Sequence, residues 1–234
     1  MTEPRKEVIG SAELWLGDCR EVLPTLTGVD AVVTDPPYGI SLQPQLWKKW
    51  SGKPMGWKPI EGDQDKFQPA PWLKFPFVVL WGANYYSDEL PLGSWFVWDK
   101  RSGERGDKMF GSPIEIAWCN VGRSTKIKRI LHGGVINADS TLGNNAKREH
   151  PTQKPVGLME WCIEEDPCNT STIFDPFMGS GTTGVASARL GRRFIGVEIH
   201  EPYFDIACRR IETAQRQHGE FARETAATQT GLLW

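Results

Sequence analysis

An α/β fold built from parallel βαβ units is predicted by three features of the sequence. Near the start, a short strand over Glu13–Leu16 gives way to a helical stretch from Arg20 to Leu26 and a second strand over Asp30–Thr34. The same rhythm returns over residues 172–198, this time around a glycine series. Finally, Asp18, Asp35, Asp175 and Glu198 each follow or close a predicted strand, and ligands of parallel sheets gather at the carboxyl ends of strands.

The totals bound the rest. A chain of 234 residues, 39% hydrophobic and 24% charged, is long enough for one α/β core, so a single catalytic domain over 1–234 is expected. A net charge of −2 excludes a uniformly basic nucleic-acid binder and leaves a local basic face open. Five cysteines without a C-x-x-C pair, and no histidine at ligand spacing, indicate neither a zinc site nor a disulfide framework. A reducing cytoplasm fits that usage. MTEPRKEVIG has no apolar core of a signal peptide and no run reaches membrane length, so a soluble protein without a membrane partner is expected. Eleven tryptophans are many for this length, and some are expected to touch a ligand.

The strand Asp30–Thr34 ends in Asp35-Pro36-Pro37-Tyr38. Two prolines forbid both a continued strand and an immediate helix, and they leave the preceding carbonyls available as acceptors. The result is a stiff corner presenting an acid beside an aromatic ring. It suits a planar amino group attached to an aromatic, as in a nucleobase.

Residues 41–72 hold five prolines and no sustained period, hence a loop. Trp47, Trp50 and Trp57 alternate there with Lys48, Lys49, Lys53 and Lys58, a mixture suited to phosphates and unstacked bases. A lid with packed tryptophans and solvated lysines is the alternative. Phe75–Gly82, Ser94–Asp99 and Ile114–Asn120 are three further strands. Residues 121–149 read as a loop carrying Arg123, Lys126, Lys128, Arg129, Lys147 and Arg148 against Asp139 and Glu149, a basic segment that the net charge hides.

His150–Pro155 (HPTQKP) leads into a helix over Val156–Glu165, with Thr152 able to cap it and Pro155 in its first turn. A helix start beside Lys154 can hold a carboxylate, although a plain cap has the same sequence. Thr172–Asp175 is a strand, followed by Gly179-Ser180-Gly181-Thr182-Thr183-Gly184, a helix over Val185–Leu190, and the strand Phe194–Val197 closed by Glu198. Glu201–Gln217 is an amphipathic helix, and the tail Glu220–Trp234 is expected to fray.

Residues 172–198 satisfy the dinucleotide fingerprint in form, so an NAD-dependent dehydrogenase has to be weighed. Asp175 stands against it: an anion directly before the turn would repel a pyrophosphate, at several kcal/mol in rough terms for close charges in a partly dry site. A ligand with an ammonium group and a ribose diol, such as S-adenosylmethionine, would favour the same acid. Asp18 reads by itself as a helix N-cap.

DPPY, HPTQKP, DPFMGSGTT and the GVE strand end, in that order, resemble the β-group of amino DNA methyltransferases, over about Leu14 to Ile211. The order is circularly permuted relative to most S-adenosylmethionine enzymes. The resemblance implies a Rossmann-like, mostly parallel seven-stranded sheet with one antiparallel strand and helices on both faces. It implies S-adenosylmethionine as cofactor and double-stranded DNA as partner, and it allows a homodimer. Asp175, Phe177, Gly179, Ser180, Gly181 and Thr182 would surround the methionine end, and Glu198 would take the ribose hydroxyls. Asp18 and Cys19 would meet the adenine, which replaces the N-cap reading of Asp18, and Thr152 and Lys154 the carboxylate. Asp35 and Pro36 would hold the target amine while Tyr38 stacks on the flipped base. Trp47, Lys48, Lys49, Trp57, Arg123, Lys126 and Lys128 are the candidate DNA contacts. Adenine N6 is favoured over cytosine N4, because a Ser often replaces the corner Asp in the cytosine enzymes. An RNA or protein-glutamine methyltransferase, or an inactive paralogue that binds DNA and cofactor, are the remaining alternatives.

Overall fold

The computed structural model describes residues 5–41, 62–101, 112–133, 136–137 and 153–230. In chain order the elements are β1 (Arg5–Ile9), β2 (Ala12–Leu16), α1 (Cys19–Val22), β3 (Ala31–Thr34), β4 (Phe77–Trp81), β5 (Ser94–Asp99), β6 (Ile114–Cys119), β7 (Lys126–Arg129), β8 (His132–Gly133), β9 (Ile136–Asn137), α2 (Val156–Glu164), β10 (Thr172–Asp175), α3 (Thr182–Arg189), β11 (Arg193–Glu198) and α4 (Glu201–Thr230). The chain divides into two compact units, one of residues 1–34 with 139–234, the other Asp35–Ala138.

The first unit is a parallel sheet in the order β1-β2-β11-β10-β3, with only β1 reversed. Its middle strands are buried on both faces, and they read as unbroken apolar runs such as Ala31-Val32-Val33 and Ile173-Phe174. α3 packs between α2 and α4. Phe204, Ala207, Ile211 and Ala214 of α4 recur at helical spacing and are all buried, which is the stripe that seats this helix.

The second unit orders its strands β4-β6-β5-β7. β6 runs antiparallel to both β4 and β5, while β7 is parallel to β5. Phe77 to Trp81 are all buried, each large side chain there contributing about 1.5–3 kcal/mol. Trp72, Trp81, Trp98, Trp118 and Trp161 are core residues. For these five the expectation of ligand contact gives way to packing.

The α/β class and the mostly parallel sheet are as predicted, and all seven expected strands are present. Among the described residues four strands are additional, β1, β7 and the short antiparallel pair β8 and β9, and the reversed strands of the two units are β1 and β6. β1 was not foreseen because its side chains are exposed, Val8 at 67%. Lys126–Arg129 is a strand rather than the loop that its charge implied. The first helix is only one turn, followed by a 3-10 turn over Leu23–Thr25 at Pro24. α2 begins at Val156 with Pro155 as its N-cap and no side-chain capping bond. α3 begins three residues earlier than expected, and α4 runs to Thr230, so the tail from Glu220 is helical instead of frayed.

Among the described residues no helix is long and apolar enough to cross a membrane, and no group of three or more His, Cys, Asp or Glu is placed to hold a metal. Among the described residues the cysteines form no disulfide, and Cys19, Cys119 and Cys162 are buried.

Candidate active site

In the first unit the site residues follow the carboxyl ends of three strands. β10 ends at Asp175, 3% exposed. Its Oδ1 accepts from the Thr34 hydroxyl at 2.6 Å and from the Phe177 N–H at 3.1 Å, and its Oδ2 accepts from the Thr183 hydroxyl at 2.6 Å. A buried carboxylate is stable only with such donors. Asp175 therefore knits the end of β3, the glycine loop and the first turn of α3 together, whatever else it meets.

The loop itself is held from α4. Arg210 donates to the Ser180 carbonyl at 2.5 Å and hydroxyl at 2.9 Å, and to the Thr182 hydroxyl at 3.4 Å. Gly181 adopts φ +80°, and a Cβ there would come within 2.9 Å of the Ala207 side chain. The position thus requires glycine both for its left-handed backbone and for the close approach of α4. Phe177 and Gly179 are half-buried, and Ser180 and Thr182 buried.

β11 ends at Glu198, 7% exposed, whose Oε1 accepts from the His200 N–H at 2.8 Å. Burial pushes its carboxyl up to about 7; the Asp175 charge adds to this, and the N–H groups of His200, Gly179 and Ile199 oppose it. Two buried carboxylates beside the loop disfavour a pyrophosphate, and Arg210 is already engaged with Ser180 and Thr182. The donor set fits a neutral diol at Glu198 and a cationic end near the loop.

Asp18 caps α1: its Oδ1 accepts from the Arg20 N–H at 2.8 Å, and the Arg20 guanidinium pairs with both oxygens. The hydrogen bonds from the Arg20 side chain hold the Asp18 carboxyl below its usual range against the effect of burial. The capping role, set aside on the resemblance, is thus realised. Burial pushes the Cys19 thiol up to about 12, so it stays protonated. Lys154 is buried ahead of α2, and Thr152 lies outside the described residues.

In the second unit the corner Asp35-Pro36-Pro37-Tyr38 lies in no helix or strand. The Tyr38 hydroxyl donates to Asp35 Oδ1. Burial, then the Asp35 charge, raises the Tyr38 phenol well above its usual value, so it remains a donor. The Tyr38 ring stacks on Tyr85, with centroids 5.1 Å apart and planes 17° from parallel. Gly82, at φ +70°, lies beneath that ring, where a Cβ would come within 2.0 Å of it. Below the stack, the Tyr86 hydroxyl donates to the Trp81 carbonyl at 2.6 Å. Asp63 holds the backbone that follows, accepting from the N–H groups of Tyr38, Gly39 and Ile40.

Trp47, Lys48, Lys49 and Trp57 lie outside the described residues. Lys126 and Lys128 project to one side of β7, both half-buried, and Arg123 is exposed in the stretch that precedes the strand. Lys126 Nζ stands 6.0 Å from the Phe96 ring centroid, and Arg129 Nε 3.5 Å from Asp99 Oδ2.

Thr34, Thr183, Arg210, Gly82, Tyr85 and Asp63 escaped the sequence reading. Thr34 and Thr183 had a signal, each lying inside or next to a recognised motif. Arg210 and Asp63 had none, since their partners are about 30 and 25 residues away.

Known proteins resemble the chain in sequence and in fold. A stretch of 64 residues, 27% of the chain, is 52% identical to the type II methyltransferase M2.DpnII of Streptococcus pneumoniae. It spans 24% of that protein, so the chain covers about a quarter of the length of the curated relatives that it matches. Among solved structures, the M1.HpyAVI–SAM complex is similar with TM-score 0.50 and 24% identity, over 85% of this chain and 99% of that one. The cytosine-N4-specific PvuII DNA methyltransferase gives TM-score 0.53 and 18% identity over 87% of each chain. At these identities the two structures speak for the fold. The sequence model of the DNA methylase family N6/N4 matches residues 86–209, just over half of the chain. The chain belongs to the N6/N4 family of DNA methylases.

Proposed function

We propose that this chain transfers a methyl group from S-adenosylmethionine to the exocyclic N6 amino group of an adenine flipped out of double-stranded DNA. The observation that carries the reading is the corner Asp35-Pro36-Pro37-Tyr38 in a chain of this family, with an acid and a stacked aromatic at one turn. The bound cofactor supplies a methyl group made electrophilic by its sulfonium. Everything else is work for the chain's own residues.

An exocyclic amine is a poor nucleophile because its lone pair is delocalised into the ring. Asp35 accepts a hydrogen bond from one N–H and the Pro36 carbonyl accepts from the other, which favours a pyramidal nitrogen with its lone pair directed out of the ring plane. Asp35 then receives the proton that the nitrogen sheds. Tyr38, whose hydroxyl bonds Asp35, supplies a ring face for the extruded base and offsets part of an unstacking cost of a few kcal/mol. Glu198 accepts from the ribose hydroxyls, and the loop held by Asp175 and Arg210 encloses the methionine end. Lys154 attracts its carboxylate. Lys126, Lys128 and Arg123 contribute phosphate contacts.

Asp35 at the corner supports adenine over cytosine. Mass spectrometry of nucleosides from DNA incubated with the chain and cofactor tests this: N6-methyladenine is expected, and N4-methylcytosine would transfer the reading to the chemistry named for the PvuII neighbour. Asp35→Ala is expected to abolish tritium transfer from labelled cofactor while cofactor binding stays within about twofold. Full turnover by a folded Asp35→Ala protein would refute the role of the corner.

A further inference from the structure

Asp63 is 3% exposed, and it belongs to none of the motifs of the proposed reaction. Its Oδ1 accepts from the N–H groups of Tyr38 at 3.1 Å, Gly39 at 2.9 Å and Ile40 at 3.3 Å. Its backbone carbonyl accepts from the Ser41 N–H at 2.8 Å. Four successive amides thus end on one residue more than 20 positions away. Residues 35–38 lie in no helix or strand, so no regular ladder fixes them. A carboxylate seated in consecutive N–H groups is a nest in which every bond is charge-assisted.

That anchor determines where the Tyr38 backbone stands. The ring can then meet Gly82 and Tyr85 while the hydroxyl reaches Asp35. The stack that faces the ring is on a half-exposed residue, Tyr85, at 47%.

We propose that Asp63 is a positioning residue for the transfer step, fixing Tyr38 through three amides and, through the Tyr38 hydroxyl, the Asp35 carboxylate. The inference rests on the corner being catalytic as set out above. Displacing a reacting group by about 1 Å costs on the order of 100-fold in rate, which scales the expectation.

The test uses the full chain with Asp63→Ala and Asp63→Asn. In hydrogen exchange read by mass spectrometry, the amides of Tyr38, Gly39 and Ile40 should exchange at least about tenfold faster in Asp63→Ala than in the wild type. Tritium transfer to unmethylated genomic DNA should show kcat lowered about 100-fold in Asp63→Ala, with the Kd for S-adenosylhomocysteine and the KM for DNA within about twofold. Asn keeps an acceptor oxygen without the charge, so Asp63→Asn should be intermediate, with these amides exchanging faster than in wild type and kcat about three- to tenfold lowered. Unchanged exchange, a kcat above half of wild type in folded Asp63→Ala, or a loss confined to the Kd would each overturn the proposal. Should Asp63→Ala fail to fold, wild-type exchange and kcat in Asp63→Asn would overturn it equally. A wild-type chain that methylates no DNA would count against the methylation reading, and the exchange data alone would then decide whether Asp63 clamps the corner.

Discussion

If Glu198 holds the ribose diol as proposed, its raised carboxyl should make ligand binding pH-dependent, by an amount that follows from the structure. Burial raises it to about 7, and a ribose diol donates hydrogen bonds that only the ionised form can fully accept. At pH 6 about a tenth of the free protein carries the carboxylate, so affinity should be about tenfold weaker than at pH 8, or roughly 1.4 kcal/mol. The probe is 5′-methylthioadenosine, which has the diol and the adenine but neither ammonium nor carboxylate, so Glu198 dominates the titration. Calorimetry at pH 6, 7 and 8 in buffers of different ionisation enthalpy should show tightening with pH and release of nearly one proton at pH 6. The stability consequence has the opposite sign. A carboxyl whose folded value lies above its ordinary 4.5 contributes stability that is complete below about 4.5 and lost as pH rises through about 7. The loss is up to about 3 kcal/mol for this shift. Glu198→Gln should therefore melt higher than wild type at pH 8 while binding the probe weakly at every pH. A flat affinity between pH 6 and 8 in the wild type, or the same slope in Glu198→Gln, would refute the reasoning.

Three further perturbations are informative. Gly82→Ala places a methyl into the Tyr38 ring at a left-handed backbone position, so it should destabilise by about 1–3 kcal/mol in denaturant melts and abolish methyl transfer; wild-type activity would exclude the observed placement of Tyr38. Thr183→Val removes a 2.6 Å donor from buried Asp175 at nearly constant volume, and a loss of about 1–3 kcal/mol is expected in urea unfolding; an unchanged midpoint would exclude that bond as a support of the fold. Replacing Arg123, Lys126 and Lys128 together by Gln should weaken DNA binding and reduce the slope of log K against log salt by up to about 3; an unchanged slope would exclude that region from the DNA contact.

Much of the architecture was legible because it depends on local pattern. Phe77–Trp81 and Ile173–Phe174 are apolar without interruption because they are buried on both faces, and the glycines of the loop announce their backbone requirement. β1 and β7 were not legible, since an exposed strand of alternating charge has no apolar face to betray it. The last turns of α4 read as a polar tail because their sequence is rich in Ala, Thr and Gln, yet helix propensity continues through them. At the site, motif residues could be named but not their partners. Nothing in the sequence joins Asp63 to Tyr38 or Arg210 to Ser180, because both pairings form only when distant segments meet. Asp18 shows the converse: its short-range reading as a cap was sound, because its partner Arg20 is two residues away.

The edge strand β7 alternates Lys126-Ile127-Lys128-Arg129, and Ile127 is 50% exposed. Among the described residues only β5 pairs with it. An unprotected strand edge recruits other strands, and lysines are a common deterrent. The cations assigned above to phosphate would then also keep copies of the protein apart. A lineage without the proposed methylation of DNA would lose the need for the first service and keep the second. Positive charge on this strand should therefore outlast the activity, whereas Asp35 should drift soon after it is lost.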